Sequence, residues 1–247
     1  MKKSLLSCAV LTLLAACQSS PPPASASQET EEQRFVRLAQ ASLRNAALVA
    51  NNEMLVGSVG VTVDLDSRGW ITGCETGPVV GRGADIAPFN QRLATRLADL
   101  CWNVVLPPVP ASMSKGDEAP SIRAPLVFPA LSLEQLQEQM RRSALFARDN
   151  YLWHTLFANE PIDAIGRATF RIAPDPKGQV QTCKVTLKPH PARVREFQAN
   201  EALRARLEQG CNRLNPREMP FYTQPPTGKS YSVDVQYMPW KKKLKVY

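Results

Sequence analysis

Apolar residues recur along this chain with two periods that take turns. From Glu29 onward, Phe35, Leu38, Ala39, Leu43, Ala46 and Ala50 keep to one face of a 3.6-residue period, with Glu29, Glu31 and Glu32 at the start, where a helix dipole favours acids. Val59, Val61, Val63 and Leu65 then alternate with Gly60, Thr62 and Asp64, the signature of a half-buried strand. Asp66-Ser67-Arg68-Gly69 supplies turn chemistry, and Ile71 to Val80 reads as the returning strand. A second helix carries Phe89, Leu93, Leu97 and Leu100 inward and ends before Pro107, Pro108 and Pro110. Ile122 to Phe128 alternates as a third strand.

The same order then returns. Leu131 to Phe157 predicts a long helix, opened by Ser132 with Gln135 at capping-box spacing. Ala168, Phe170 and Ile172 alternate, Asp175-Pro176-Lys177-Gly178 turns, and Val180 to Leu187 comes back. Val194 to Cys211 predicts a helix with Leu203 and Leu207 inward, and Ser230 to Tyr237 predicts the last strand. Specific residues repeat with the elements. Cys74 returns as Cys183 and the Ile122, Ala124, Leu126, Phe128 run as Tyr231, Val233, Val235, Tyr237, both at an offset of 109, while Cys101 returns as Cys211 at 110. The expected fold is therefore α+β: two tandem α-β-β-α-β modules, at 29–130 and 131–240, each a small antiparallel sheet with two helices on one face.

Four stretches of the chain resemble a known family. Val61-Thr62-Val63-Asp64-Leu65-Asp66-Ser67-Arg68-Gly69, its counterpart Phe170 to Gly178, and the helix exits Trp102-Asn103-Val104-Val105-Leu106-Pro107 and Asn212-Arg213-Leu214-Asn215-Pro216 are similar to the C-terminal periplasmic domain of the energy transducer TonB and, more loosely, of TolA. The family pattern leaves the second helix with a Trp, a basic residue, an aromatic, one more residue and a Pro. The second exit here has Asn for the Trp and Leu for the aromatic, and the first inserts a residue. Family members can accept an extended peptide at the exposed edge of the last strand, so the resemblance implies partner binding along Ile122 to Phe128, or along Tyr231, Val233, Val235 and Tyr237. The opposing expectation is that each edge is covered by the other module or by the proline loops. Energy transducers reach their motor through a transmembrane helix, and no apolar stretch of about 18 residues follows residue 16. Energy transduction is therefore not carried over.

The N-terminus changes the setting. Lys2 and Lys3 precede an apolar run from Leu5 to Ala16 that closes on Leu14-Ala15-Ala16-Cys17 and resembles a bacterial lipoprotein signal. The resemblance implies removal of residues 1–16, lipidation of Cys17, and a Pro/Ser/Ala tether over residues 17–28. Gln18 in place of Asp favours the periplasmic face of the outer membrane. The formal charge of +8 then falls to about +6, which suits a neighbour of anionic lipid, lipopolysaccharide or cell-wall polymer but requires none. Trp240 with Lys241, Lys242, Lys243 and Lys245 adds an interfacial aromatic and four cations, readable as a membrane contact or as a solvated end, the tail proper being 241–247.

Four of the six cysteines remain in the repeats: Cys74, Cys101, Cys183 and Cys211. An even count in an oxidising compartment favours disulfides, and of three connectivities the repeat selects Cys74–Cys101 and Cys183–Cys211. Each would contribute roughly 3.5 kcal/mol in the chain-entropy model. A four-cysteine zinc site competes, without any C-x2-C pair to support it.

Catalytic chemistry is scarce. His154 and His190 are the only histidines, and there is no G-x-S-x-G elbow, H-E-x-x-H helix or Walker loop. No catalytic residue, metal, cofactor or nucleic-acid partner is expected. Two functions remain open: a lipid-anchored scaffold or adaptor that binds another envelope protein, and a binding protein for an envelope glycan or lipid such as peptidoglycan or lipopolysaccharide held between the modules.

Overall fold

The structure, a computed structural model, describes residues 29–81, 87–114, 120–226 and 229–241. The signal, Cys17, the tether and the lysines beyond Lys241 lie outside the described residues. Its principal elements run α1 (Glu31–Ala50), β1 (Gly57–Leu65), β2 (Ile71–Gly77), α2 (Gln91–Leu97), β3 (Ser121–Phe128), α3 (Leu133–Leu152), β4 (Gly166–Pro174), β5 (Val180–Pro189), α4 (Glu201–Cys211) and β6 (Tyr231–Tyr237). The fold is α+β, with two three-stranded antiparallel sheets in the orders β2-β1-β3 and β5-β4-β6.

Each sheet is built on one hairpin made the same way twice. Asp66 Oδ1 accepts from the amides of Arg68 and Trp70, Asp175 Oδ1 from that of Gln179, and Gly69 and Gly178 close the turns at φ +74° and +80°. That conformation favours glycine. A one-residue register shift follows in both hairpins, after Asp64 and after Ala173.

Alternation puts one face of each sheet in a core. Val59, Val61, Val63 and Leu65 meet Ile122, Ala124, Leu126 and Phe128, under Phe35, Ala39, Leu43 and Ala47 of α1 and Leu93 and Leu97 of α2. In the second core, Ala168, Phe170, Ile172, Val233, Val235 and Tyr237 pack beneath Leu203 and Leu207 of α4 and a wide helical turn, Trp153–Phe157, that extends α3. Phe157 lies at the centre of it, 5.0 Å from Trp153, 6.1 Å from Phe170 and 5.9 Å from Tyr237 between ring centroids.

Three element boundaries differ from the sequence expectation, each for a local reason. The second helix does not include Phe89, which forms a bridge with Ser58 and is 38% exposed; Asn90 caps α2 by accepting from Leu93 N–H at 3.0 Å. The fourth helix starts at Glu201 rather than Val194, because Asn200 caps it through Leu203 N–H at 2.8 Å and Val194–Glu196 forms a separate 3-10 turn. β2 stops at Gly77, before Pro78, short of Val80. The Ser132–Gln135 capping box is formed as expected.

The two sheets belong to one compact unit, Glu31–Tyr247, in which both cores are formed by residues between Phe35 and Trp240. Arg193, 2% exposed, joins the halves: its guanidinium donates to the carbonyls of Arg68 (2.7 Å), Gly69 (3.3 Å), Leu106 (3.5 Å) and Pro107 (3.4 Å) and pairs with Glu196. Met238 and Trp240 return to the first core, where Trp240 Nε1 donates to Val104 O at 3.2 Å and its ring sits 6.0 Å from that of Trp70. Gln139 and Ser143 of α3 donate to the last carbonyls of α1, those of Leu48 and Val49, which that helix cannot satisfy itself.

Candidate functional site

The cysteines are paired as Cys74–Cys101 and Cys183–Cys211, with Cα separations of 5.7 and 5.9 Å that suit a disulfide. Each bond ties the second strand of a sheet to the chain at or just beyond the end of the helix above it. No group of residues that would hold a metal occurs among the described residues.

The proposed strand edges are less open than alternation alone suggests. Leu65 N–H donates to Pro120 O, so Ile122, Ala124, Leu126 and Phe128 turn their backbone groups toward β1, while Arg123 and Pro125 turn theirs outward. Outward is where a strand tolerates a proline. The outward carbonyl of Arg123 accepts from Gln40 of α1 at 2.8 Å. In β6 the side chains of Val233, Val235 and Tyr237 are core residues and Tyr231 is half-buried, so these four do not present their side chains to a partner. Ser232, Asp234 and Gln236 face their backbone outward. Lys241 Nζ already donates to Gln236 O at 2.8 Å. On β5, Asn212 bonds both the amide (2.8 Å) and the carbonyl (3.3 Å) of Cys183, and Glu208 accepts from Val185 N–H at 3.2 Å. The Asn212 amide thus takes the place of a neighbouring strand.

Neither reading of the tail, membrane contact or solvated end, describes Trp240 and Lys241, since both are buried. Lys241 Nζ lies 3.4 Å from Asp149 Oδ2 and 4.6 Å from the Trp153 ring centroid. Burial pushes the Asp149 carboxyl up and the Lys241 ammonium down, each against the pull of its partner. This pair closes the Gln236 end of the β6 edge.

What the edges lack, a cleft between the halves supplies. A cavity of about 320 Å³ lies between the α1 end and α2 on one side and α3 on the other. Ala50, Leu100, Phe146, Ala147 and Pro220 give it apolar walls, and Arg96, Asp99, Asn103, Asn150, Tyr151 and His154 bring polar groups. Arg96 is anchored by a close ion pair with Glu53. Asn103 donates its amide to Asp99 O at 3.2 Å, yet its Oδ1, like that of Asn150, is buried with no hydrogen-bond partner. Buried carbonyl oxygens of this kind are costly when left alone. Burial raises the Tyr151 hydroxyl pKa, keeping it a neutral donor. The two aliphatic hydroxyls in the lining are committed to backbone: Ser143 donates to Val49 O at 3.2 Å and Thr95 to Gln91 O at 3.0 Å.

His154 reaches the cleft from the wide turn Trp153–Phe157, an insertion that often marks a functional position. His190 is placed elsewhere, buried near Arg193, with Nδ1 accepting from Ala192 N–H at 3.2 Å. Its pKa is lowered to about 4 by burial and then by Arg167 and Arg193. Sequence reasoning missed Asn103, Asn150, Arg96 and Arg193. Periodicity carried no trace of them, because each is defined by a partner in the other half or by a cavity that both halves close.

No protein-family model matches this chain, and neither a curated protein nor a solved structure shows significant similarity to it.

Proposed function

We propose that this chain is a lipid-anchored binding protein of the bacterial envelope, tethered through Cys17 to the periplasmic face of the outer membrane, which holds a glycan or lipid fragment in the cleft between two TonB C-terminal-like modules. The common strand order of the two sheets, the twin Asp–Gly hairpins and the equivalent disulfides support treating each half as one copy of the module. The observation that carries the ligand reading is the cavity of about 320 Å³ itself, where apolar walls from Leu100, Phe146 and Ala147 stand beside the polar groups of Arg96, Asp99, Tyr151 and His154. That volume is at the low end for small-molecule sites and fits one sugar unit or acyl segment rather than a polymer.

A second reading, the adaptor that takes up a strand from another envelope protein, keeps one specific support. At the position where β3 has Pro125, β6 has Asp234, so the outward backbone of Ser232 and Asp234 retains its donors. A photoreactive residue placed at Ala147 or at Asp234 in cells separates the two. The cleft reading expects a non-protein adduct at position 147 and none at 234; a discrete protein adduct at 234, with position 147 silent, would replace it with the adaptor.

A further inference from the structure

The two sheets share a topology but not a surface. At the solvent-facing strand positions of the first sheet, one cation, Arg123, stands with two carboxylates, Asp64 and Glu75, among Gly60, Gly73 and Gly77. At the matching positions of the second sheet stand Arg167, Arg171, Lys184 and Lys188, with Asp234 the one carboxylate. The four cations are arranged as two direct cross-strand pairs, Arg171 opposite Lys184 and Arg167 opposite Lys188. Thr169 opposite Thr186 lies between them.

Like charges directly opposite one another on a sheet are destabilising, and two such pairs on one face oppose the fold. Arg171 Nε donates to the neutral Ser230 Oγ at 3.0 Å. None of the four is in an ion pair among the described residues, and Asp234 accepts instead from Thr169 Oγ1 at 2.6 Å. Arg171, Lys184 and Lys188 are exposed, and Arg167 is half-buried with its Nε enclosed and unpartnered.

We infer that this open face of the second sheet docks on the phosphate-bearing surface of an anionic membrane. Strand rise puts the two cation pairs roughly 13 Å apart, on a flat three-stranded face suited to an array of phosphates. Its outward strand positions carry no aromatic side chain on which a nucleic-acid base would stack. The choice of membrane over other polyanions rests on the envelope reading above, but the face is independent of the cleft and of Cys17. A lipid anchor on a tether leaves orientation free; this face would fix it, sheet down.

The test uses residues 29–247, which contain both cores, and co-sedimentation with vesicles of phosphatidylglycerol in phosphatidylcholine. Binding should exceed that to pure phosphatidylcholine by at least about ten-fold and fall steeply with salt. Arg171→Glu with Lys184→Glu should abolish the difference, whereas the same charge change at the exposed Arg44 and Arg213 should leave most of it. Arg171→Gln with Lys184→Gln should also lose binding while melting no lower than the parent, since it removes a repulsive pair. Equal loss in the Arg44/Arg213 control, no preference for the acidic vesicles, or tighter binding to a single-stranded DNA oligonucleotide than to the vesicles would overturn the proposal. Because no lipid is attached to residues 29–247, failure here leaves Cys17 anchoring untouched, and success does not depend on it.

Discussion

At the scale of single residues, this protein relies on polar side chains in buried places. Arg193 offers one guanidinium to four carbonyls of the other half, and a charged donor in that position is worth more than a neutral one. Removing it would leave those carbonyls and Glu196 without their common partner, the kind of loss that costs several kcal/mol. His190, close by, must stay neutral. Its pKa of about 4 in the fold lies below the ordinary 6.5, so the unfolded chain takes up the proton first as pH falls. The stability tied to neutral His190 is therefore complete above about pH 6.5 and is lost between 6.5 and 4. Urea unfolding at pH 7 and pH 5 should show a loss of about 2 kcal/mol that the His190→Asn variant does not share. Equal pH dependence in the two proteins would mean that His190 gains its proton without cost.

At the scale of elements, strand and turn were largely legible before the structure, and helix ends were not. Alternation over Val59–Leu65 and Tyr231–Tyr237 has one physical cause, a sheet with a single buried face, so the pattern and the burial agree residue by residue. Helix ends depend on one cap each, and Asn90 and Asn200 override apolar residues at Phe89 and Val194 that otherwise continue the helical period. Edges were the least legible, because what engages them, Gln40, Asn212, Glu208 and Lys241, lies far off in sequence. The outward and inward backbone of β6 can be told apart by proline. Val233→Pro removes a donor aimed at β4 and should cost about 3 kcal/mol or more, whereas Asp234→Pro repeats what Pro125 does in β3 and should cost about 1 kcal/mol. Thermal unfolding followed by circular dichroism reads both, and the reverse order would show that the register of β6 is one residue out.

At the scale of the whole molecule, joining the two sheets produces what neither half has alone. Two similar sheets, each stapled by its own disulfide, are joined through Arg193, Trp240 and the α1–α3 contact into one unit, and the cleft exists only because they are joined. The halves also differ, in the charge of their open faces and in the proline of one edge strand. The account rests on that cleft being filled in the cell. The most direct measurement is native mass spectrometry of the full-length protein extracted gently from the cells that make it, beside Ala147→Trp, whose indole would occupy the cavity. A stoichiometric added mass on the wild-type protein, resolved on fragmentation as glycan or lipid and absent from an equally stable Ala147→Trp protein, is the predicted result. A wild-type protein that carries no mass beyond its covalent modifications, or an adduct that Ala147→Trp retains in full, would contradict it.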